Sequence, residues 1–227
     1  MSFSFYRADA QYCDFLRKSD PCVPYTMDRK ETRPFVGIVF SINGYNYYAP
    51  LTSPKPKHIT MKNQIDFLKI NGGTWGAINL NNMIPIHTDS LKPVDMKILP
   101  TDDKATIDYK NLLTNQLSWC NTTENVAFIT GKAQKLYRAI IEKTARPQLV
   151  ERCCNFPIDE QQYLVYCQSH NLSIEKKTEL AEKHPAPDQT AKVSMKDRFA
   201  AAQAEADRRV AGQAAPAPQK SKDDPER

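Results

Sequence analysis

The segment Thr52-Ser53-Pro54-Lys55-Pro56-Lys57-His58 places two hydroxyls, two ammonium groups and an imidazole within seven residues. Hydroxyls and cations in that density suit a phosphate. Cations neutralise its charge, hydroxyls donate to its oxygens, and a titratable group moves a proton. The same residues have a plainer reading. Ser and Thr cap turns, and a lone histidine is usually an ordinary surface or core residue. The segment follows an apolar hairpin and is read as a loop at a strand end, where a rigid scaffold commonly presents functional groups.

The surrounding charge favours a polyanion. Between Arg29 and Lys69 stand seven basic residues, Arg29, Lys30, Arg33, Lys55, Lys57, Lys62 and Lys69, against Glu31 and Asp66. That surplus equals the net charge of the whole chain, +5 over 227 residues. Such a window is either a solvated basic face or an electrostatic footprint for nucleic acid. Arg29, Lys30, Lys57, Lys62 and Lys69 are therefore the expected RNA contacts. Among the aromatics, Tyr47 is a base-stacking candidate. It alternates onto the same sheet face as Tyr45 and opposite to Tyr48. Core packing is the commoner role for all three.

Other chemistries find little support. The four histidines His58, His87, His170 and His184 show no HxxxH or HxxEH spacing and have no DxD or ExxE pair beside them. No metal and no cofactor is expected. GxGxxG and GxxxxGK[ST] are absent, so a Gly-rich phosphate loop is not expected either. The six cysteines form no CxxC pair. With no apolar leader and no apolar run of membrane-spanning length, they read as reduced, mostly buried thiols of a cytoplasmic protein.

The elements that would position these groups read as follows. Phe3 and Phe5 alternate as a strand, and Tyr12, Phe15 and Leu16 recur at helical spacing before Asp20-Pro21. The run 35–42 and the return 45–49 flank Asn43-Gly44, a hairpin turn signal. Short strands are expected around 69–71, 75–80, 83–86 and 96–99, the spacing of a small barrel or a strongly bent antiparallel sheet. From Thr101 the period turns helical, with Thr101-Asp102-Asp103 offering N-cap chemistry. A second helix follows Asn121-Thr122-Thr123 and a third opens at Phe156. The fold class is α+β, with a compact, strongly twisted antiparallel sheet and helices added late. Two regions are expected: a domain over 1–172, and over 173–227 a polar tail with an Ala-rich helix at 194–210.

Five ordered blocks of residues carry a family likeness. Arg33-Pro34-Phe35-Val36-Gly37-Ile38-Val39 comes first. Tyr48-Ala49-Pro50-Leu51-Thr52-Ser53-Pro54-Lys55 with His58 comes second. Ala77-Ile78-Asn79-Leu80 with Met83-Ile84-Pro85-Ile86 comes third. Tyr109-Lys110 with Leu113 and Gln116-Leu117, and then Cys154-Asn155-Phe156 with Tyr163, complete the set. Together they resemble the ToxN/AbiQ family of type III toxin–antitoxin systems, from about residue 3 to about residue 168.

The resemblance implies a MazF/Kid-like sheet fold and an endoribonuclease that cuts single-stranded, typically adenine-rich RNA without metal. It implies cyclic phosphate and 5′-hydroxyl products. It also implies inhibition by a repeated RNA pseudoknot antitoxin, which the toxin itself can process, in a closed toxin–RNA hetero-oligomer. Phage defence by abortive infection is the implied role. Carried over residue by residue, the catalytic set is Ser53, Thr52, Lys55 and Arg33, with Tyr12 on a less certain alignment. His58 is added as the best-placed titratable group, and a Lys55 of lowered pKa could serve equally. Arginine at position 33 departs from the lysine that family members can carry. It keeps the charge but presents a planar fork. A non-catalytic RNA-binding module and an interaction protein acting through the C-terminal helix are the alternative readings.

Overall fold

The structure is a computed structural model and describes residues 2–25 and 33–173. The expected tail and its helix over 194–210, like Arg29 and Lys30, lie outside the described residues.

Strand β1 (Ser4–Ala8) leads into helix α1 (Ala10–Arg17), capped by the Asp9 carboxylate on the Tyr12 N–H at 3.0 Å. Strands β2 (Phe35–Ile42) and β3 (Tyr45–Thr52) form the hairpin that Asn43-Gly44 signals. Their pairing runs Ile42↔Tyr45, Ser41↔Asn46, Phe40↔Tyr47, then shifts at a bulge so that Gly37 faces Tyr48 and Phe35 faces Pro50.

Strand β3 is the hub of the sheet. Its second edge is shared: Tyr47 and Tyr48 pair with β6 (Ile84–Pro85), while Leu51 and Thr52 pair with β5 (Ala77–Asn79). Beyond β5 lies β4 (Phe67–Lys69), and beyond β1 lies β7 (Leu91–Pro93). The order is β4-β5-β3-β2-β1-β7, antiparallel throughout and open at both edges. The bent-sheet expectation therefore holds in place of the closed barrel.

The later helices are α3 (Lys104–Cys120), α4 (Thr123–Ile141), the short α5 (Pro147–Val150) and α6 (Phe156–Ser169). Asp103, Thr122 and Asn155 cap α3, α4 and α6 through side-chain oxygens. Helices α4 and α6 cover the sheet face that carries Phe40 and Tyr47. Five of the six cysteines are buried. No helix among the described residues is long and apolar enough to cross a membrane.

Three sequence expectations change. Residues 96–99 form no strand, because the edge of β1 is taken by Leu91–Pro93 instead. The strand expected to reach Asn71 stops at Lys69, since Asn71 turns to positive φ and starts a 3-10 turn. The basic loop is a short helix, α2 (Pro56–Thr60), with proline at its first turn, where the missing N–H costs nothing.

Candidate active site

The end of β3 sets the site. The Leu51 N–H donates to the Pro34 carbonyl at 2.8 Å. The Phe35↔Pro50 register, continued two pairs further, sets Arg33 across from Thr52. On its other side Thr52 pairs with Ala77. Thr52 is thus held from both edges, and Ser53 is the first residue released from the sheet.

A cleft of about 250 Å³ opens there, lined by Arg33, Thr52, Ser53 and Lys55 together with Pro34, Leu51 and four residues of α3. Those four are Tyr109, Leu112, Leu113 and Gln116, an i, i+3, i+4, i+7 stripe and so a single helix face. Gln116 is buried and donates through Nε2 to the Trp75 carbonyl, which ties α3 to the loop before β5. Desolvation lowers the Arg33 pKa, and no carboxylate pairs with its guanidinium among the described residues.

Beside it a second cleft of about 420 Å³ shares Thr52 and Lys55 and continues along Lys57, His58, Gln64, Asn79, Asn82 and Arg152. Arg152 bonds the buried Asp66 at 2.8 Å and Gln64 at 3.2 Å. Thr52 and Lys55 therefore form the saddle between two grooves. A third cleft, at the Asn43-Gly44 hairpin, is lined by Asn46, His87 and Asp89 among others, with no lysine or arginine. It offers a phosphate no permanent cation.

Two glycines fix the saddle from below. Gly76 has φ +94°, and a Cβ there would stand 2.1 Å from the Thr52 carbonyl oxygen and 3.2 Å from the Pro54 nitrogen. Gly73 has φ +99°, and its Cβ would stand 2.5 Å from the His58 carbonyl oxygen. Both need a residue free of the Cβ penalty at positive φ, and both let the turn 71–76 press against the backbone that carries the site.

The expected site residues separate into groups. Arg33, Thr52, Ser53 and Lys55 come together at one cleft. Lys57 and Lys62 are exposed near it, and the Lys69 Nζ donates to the Ile59 carbonyl at 3.1 Å at the end of α2. His58 is buried at the foot of α2 with its ring edge-on to Phe67 at 5.4 Å, and its Nδ1 has no hydrogen-bond partner. Burial, then Lys55 and Lys57, lower its pKa.

Two expectations are corrected. Tyr12 is wholly buried, edge-on to Tyr166 at 4.8 Å, with its hydroxyl donating to the Pro85 carbonyl. The helix stripe that made it visible in sequence is the stripe that turns it into the core. Tyr47 is likewise buried, stacked on Phe40 at 4.8 Å, and donates to the Glu160 carboxylate at 2.7 Å. Neither ring is exposed in this structure.

Sequence reading missed the α3 wall and Arg152. The α3 stripe was legible as spacing, but Tyr109 and Gln116 were outside the apolar set that defined it. Arg152 gave no local signal. No carboxylate or histidine lines the first cleft among the described residues, and in the second Asp66 is engaged by Arg152. The grouping of metal-ligating side chains that does exist, Asp20, Cys154 and Asp159, lines neither cleft. It departs from the expectation of no ligand set, because folding joins groups far apart in sequence.

Comparison with known proteins gives a consistent picture. The family model described as Toxin ToxN, type III toxin-antitoxin system, matches residues 4–164. The Endoribonuclease ToxN of Pectobacterium atrosepticum is 30% identical over 167 residues, 70% of this chain and 91% of that protein. The Endoribonuclease ToxN of Bacillus thuringiensis subsp. kurstaki is 29% identical over 167 residues, 71% of this chain and 83% of that protein. Among solved structures, AbiQ is a lactococcal anti-phage endoribonuclease of a type III toxin–antitoxin system. It superposes with a TM-score of 0.60 at 25% identity, covering 74% of this chain and 99% of its own. A structure from work on selective toxin inhibition by a non-coding RNA pseudoknot gives 0.59 at 28% identity, covering 73% and 98%.

Proposed function

The chain belongs to the ToxN family of type III toxin–antitoxin toxins, and from that premise we propose that it is an endoribonuclease that cleaves single-stranded RNA without a metal ion. The observation that carries the chemistry is the lining of the β3-end cleft. Arg33 and Lys55 supply two cations, Thr52 and Ser53 two hydroxyls, and no lining residue is a carboxylate. That set suits a phosphate directly and offers a divalent cation no acidic ligand.

The nucleophile is then the substrate's own 2′-hydroxyl, which DNA lacks. It attacks the adjacent phosphorus and expels the 5′-oxygen of the next nucleotide, leaving a 2′,3′-cyclic phosphate and a 5′-hydroxyl. Arg33, with its planar fork, holds two phosphate oxygens, while Lys55 acts as a point charge on the developing negative charge. Thr52 and Ser53 orient the 2′-hydroxyl in line or donate to the non-bridging oxygens. A serine hydroxyl without an adjacent base is a weak nucleophile, so no covalent intermediate on Ser53 is invoked. His58, buried under α2, acts on the site by placing Lys55 and Lys57. Lys57 and Arg152 lie along the groove that leads away from the saddle.

The partner is an antitoxin RNA with a repeated pseudoknot that closes with the toxin into a hetero-oligomer. The biological role is phage defence by abortive infection in the cytoplasm, with adenine-rich sites as the preferred substrate. An inhibitory pseudoknot is described for a related toxin and anti-phage activity for AbiQ. The test is cleavage of single-stranded RNA in EDTA with analysis of the ends. Cyclic phosphate and 5′-hydroxyl ends are expected. Strict Mg²⁺ dependence with 3′-hydroxyl ends would overturn the chemistry. Tight RNA binding with no cleavage would leave a non-catalytic RNA-binding module.

A further inference from the structure

A second cluster of chemistry-bearing side chains sits where the two ends of the domain meet. Asp20 follows α1, Cys154 precedes the α6 cap, and Asp159 lies in the first turn of α6. One ligand atom from each lies within 4.8 Å of the other two. The three residues are 5%, 1% and 0% exposed.

The cluster is built rather than incidental. The Asp20 oxygens accept from the Cys22 N–H at 2.8 Å and the Asn155 N–H at 2.6 Å, which fixes the carboxylate. The Cys154 N–H donates to the Asn81 carbonyl at 2.8 Å, which fixes the thiol's backbone. Asp159 is the anomaly: it is fully buried, and among the described residues no N–H or O–H group donates to its carboxylate oxygens, only the Cys154 thiol being placed to do so. No lysine, arginine or histidine pairs with either aspartate among the described residues.

Two buried carboxylates facing each other without a cation are strongly unfavourable. A proton on Asp159 would remove one charge. Burial, then Asp20 and Glu160 nearby, pushes the Asp159 pKa up to about 8, so the metal-free cluster holds a proton there. A divalent cation can take that proton's place. It neutralises both carboxylates and uses the Asp159 oxygens. Around tetrahedral zinc, with bonds of about 2.0–2.3 Å, neighbouring ligand atoms stand about 3.3–3.8 Å apart. That spacing is compatible with ligand atoms that all lie within 4.8 Å of one another.

We propose that Asp20, Cys154 and Asp159 form a structural Zn²⁺ site that staples the end of α1 to the start of α6. A thiolate with two carboxylates selects zinc over Mg²⁺ or Ca²⁺, which prefer all-oxygen shells. The fourth position goes to water or to a neighbouring thiol, Cys22 or Cys153. Binding displaces the Cys154 thiol proton to solvent, so affinity falls as pH falls. The cluster shares no residue with the RNA clefts, so its ion takes no part in cleavage.

The test uses the full chain carrying Ser53→Ala and Lys55→Ala to permit expression, stripped of metal by refolding with chelator and titrated with Zn²⁺ or Co²⁺. Expected results are one ion per chain, an apparent Kd tighter than about 1 µM, and a rise in Tm on zinc binding. Co²⁺ should give a thiolate charge-transfer band and tetrahedral visible bands. Cys154→Ala should abolish the bands, and Cys120→Ala, a buried thiol outside the cluster, should keep them. No stoichiometric zinc and no cobalt bands, with Asp159→Asn at least as stable as the parent, would overturn the proposal and assign a protonated carboxyl or a buried water to the gap. The cobalt spectrum of the parent cluster decides the question even if a ligand variant fails to fold.

Discussion

Gly76→Ala tests how the site is held. The Gly76 backbone has φ +94°, a region in which an alanine is strained by about 1–3 kcal/mol. The added methyl would stand 2.1 Å from the Thr52 carbonyl oxygen, where a close C···O contact is about 3.3 Å. Something must retreat by roughly 1 Å, and the nearest neighbours are the backbone of Thr52, Ser53 and Pro54, not a flexible side-chain tip. Forced overpacking of this kind adds about 1–3 kcal/mol. A displacement of about 1 Å at a positioning element costs on the order of 10²-fold in rate. Gly72→Ala is the control, because Gly72 also has positive φ, +66°, but a Cβ there meets nothing within 4 Å. Denaturant unfolding and single-turnover RNA cleavage would be measured on both variants, at a temperature where both are folded. The expected result is a stability loss in both, larger for Gly76→Ala, and a rate loss of about 10²-fold for Gly76→Ala alone. Equal cleavage rates in the two folded variants would refute the reasoning that the 71–76 turn positions Thr52 and Ser53.

Ser53→Ala removes an exposed hydroxyl, so stability should move by only about ±0.5 kcal/mol. Cleavage should fall about 10²–10³-fold, and a folded variant that still arrests growth would remove Ser53 from the site. Lys55→Ala should harm cleavage at least as much, with binding to antitoxin RNA only modestly weakened because many phosphate contacts share that affinity; filter binding at fixed salt measures this. Tyr12→Phe leaves the Pro85 carbonyl without its buried donor and should cost about 1–3 kcal/mol, with the cleavage rate of the folded fraction unchanged. A large rate loss at full stability would restore Tyr12 to the catalytic set. His58 carries a pKa lowered by burial, then by Lys55 and Lys57, so the unfolded chain takes up its proton more readily. Its contribution is therefore intact above the ordinary value of 6.5 and is lost as pH falls below it. Urea midpoints from pH 8 to pH 5 should show that decline, and His58→Gln should flatten it.

Much of the fold and part of the site were legible in the chain alone. Local signals are short-range physics, so they read directly. Asn43-Gly44 makes the hairpin, the Thr101-Asp102-Asp103 triplet supplies the cap of its helix through Asp103, and the change of period at Thr101 marks the shift from sheet to helices. The sequence also placed Thr52, Ser53 and Lys55 beside one another, because they are neighbours in it. Ordered blocks of residues pointed to the family before any coordinate did.

What only the tertiary structure decided depends on long-range contacts. The sequence could not say that β3 would share its second edge between β6 and β5, and that sharing pins Thr52. It offered Tyr12 and Tyr47 as functional groups. Tyr47 sits on a strand covered on both faces, where alternation no longer separates inside from outside, and Tyr12 faces the core from α1. That Tyr109, Leu113 and Gln116 of α3 would wall the cleft, that Arg152 would reach the neighbouring groove, and that Asp20 would meet Cys154 and Asp159 were equally beyond the sequence. Each joins residues separated by much of the chain, and what brings them together is burial of the common core, a sum over the whole molecule that no local window contains.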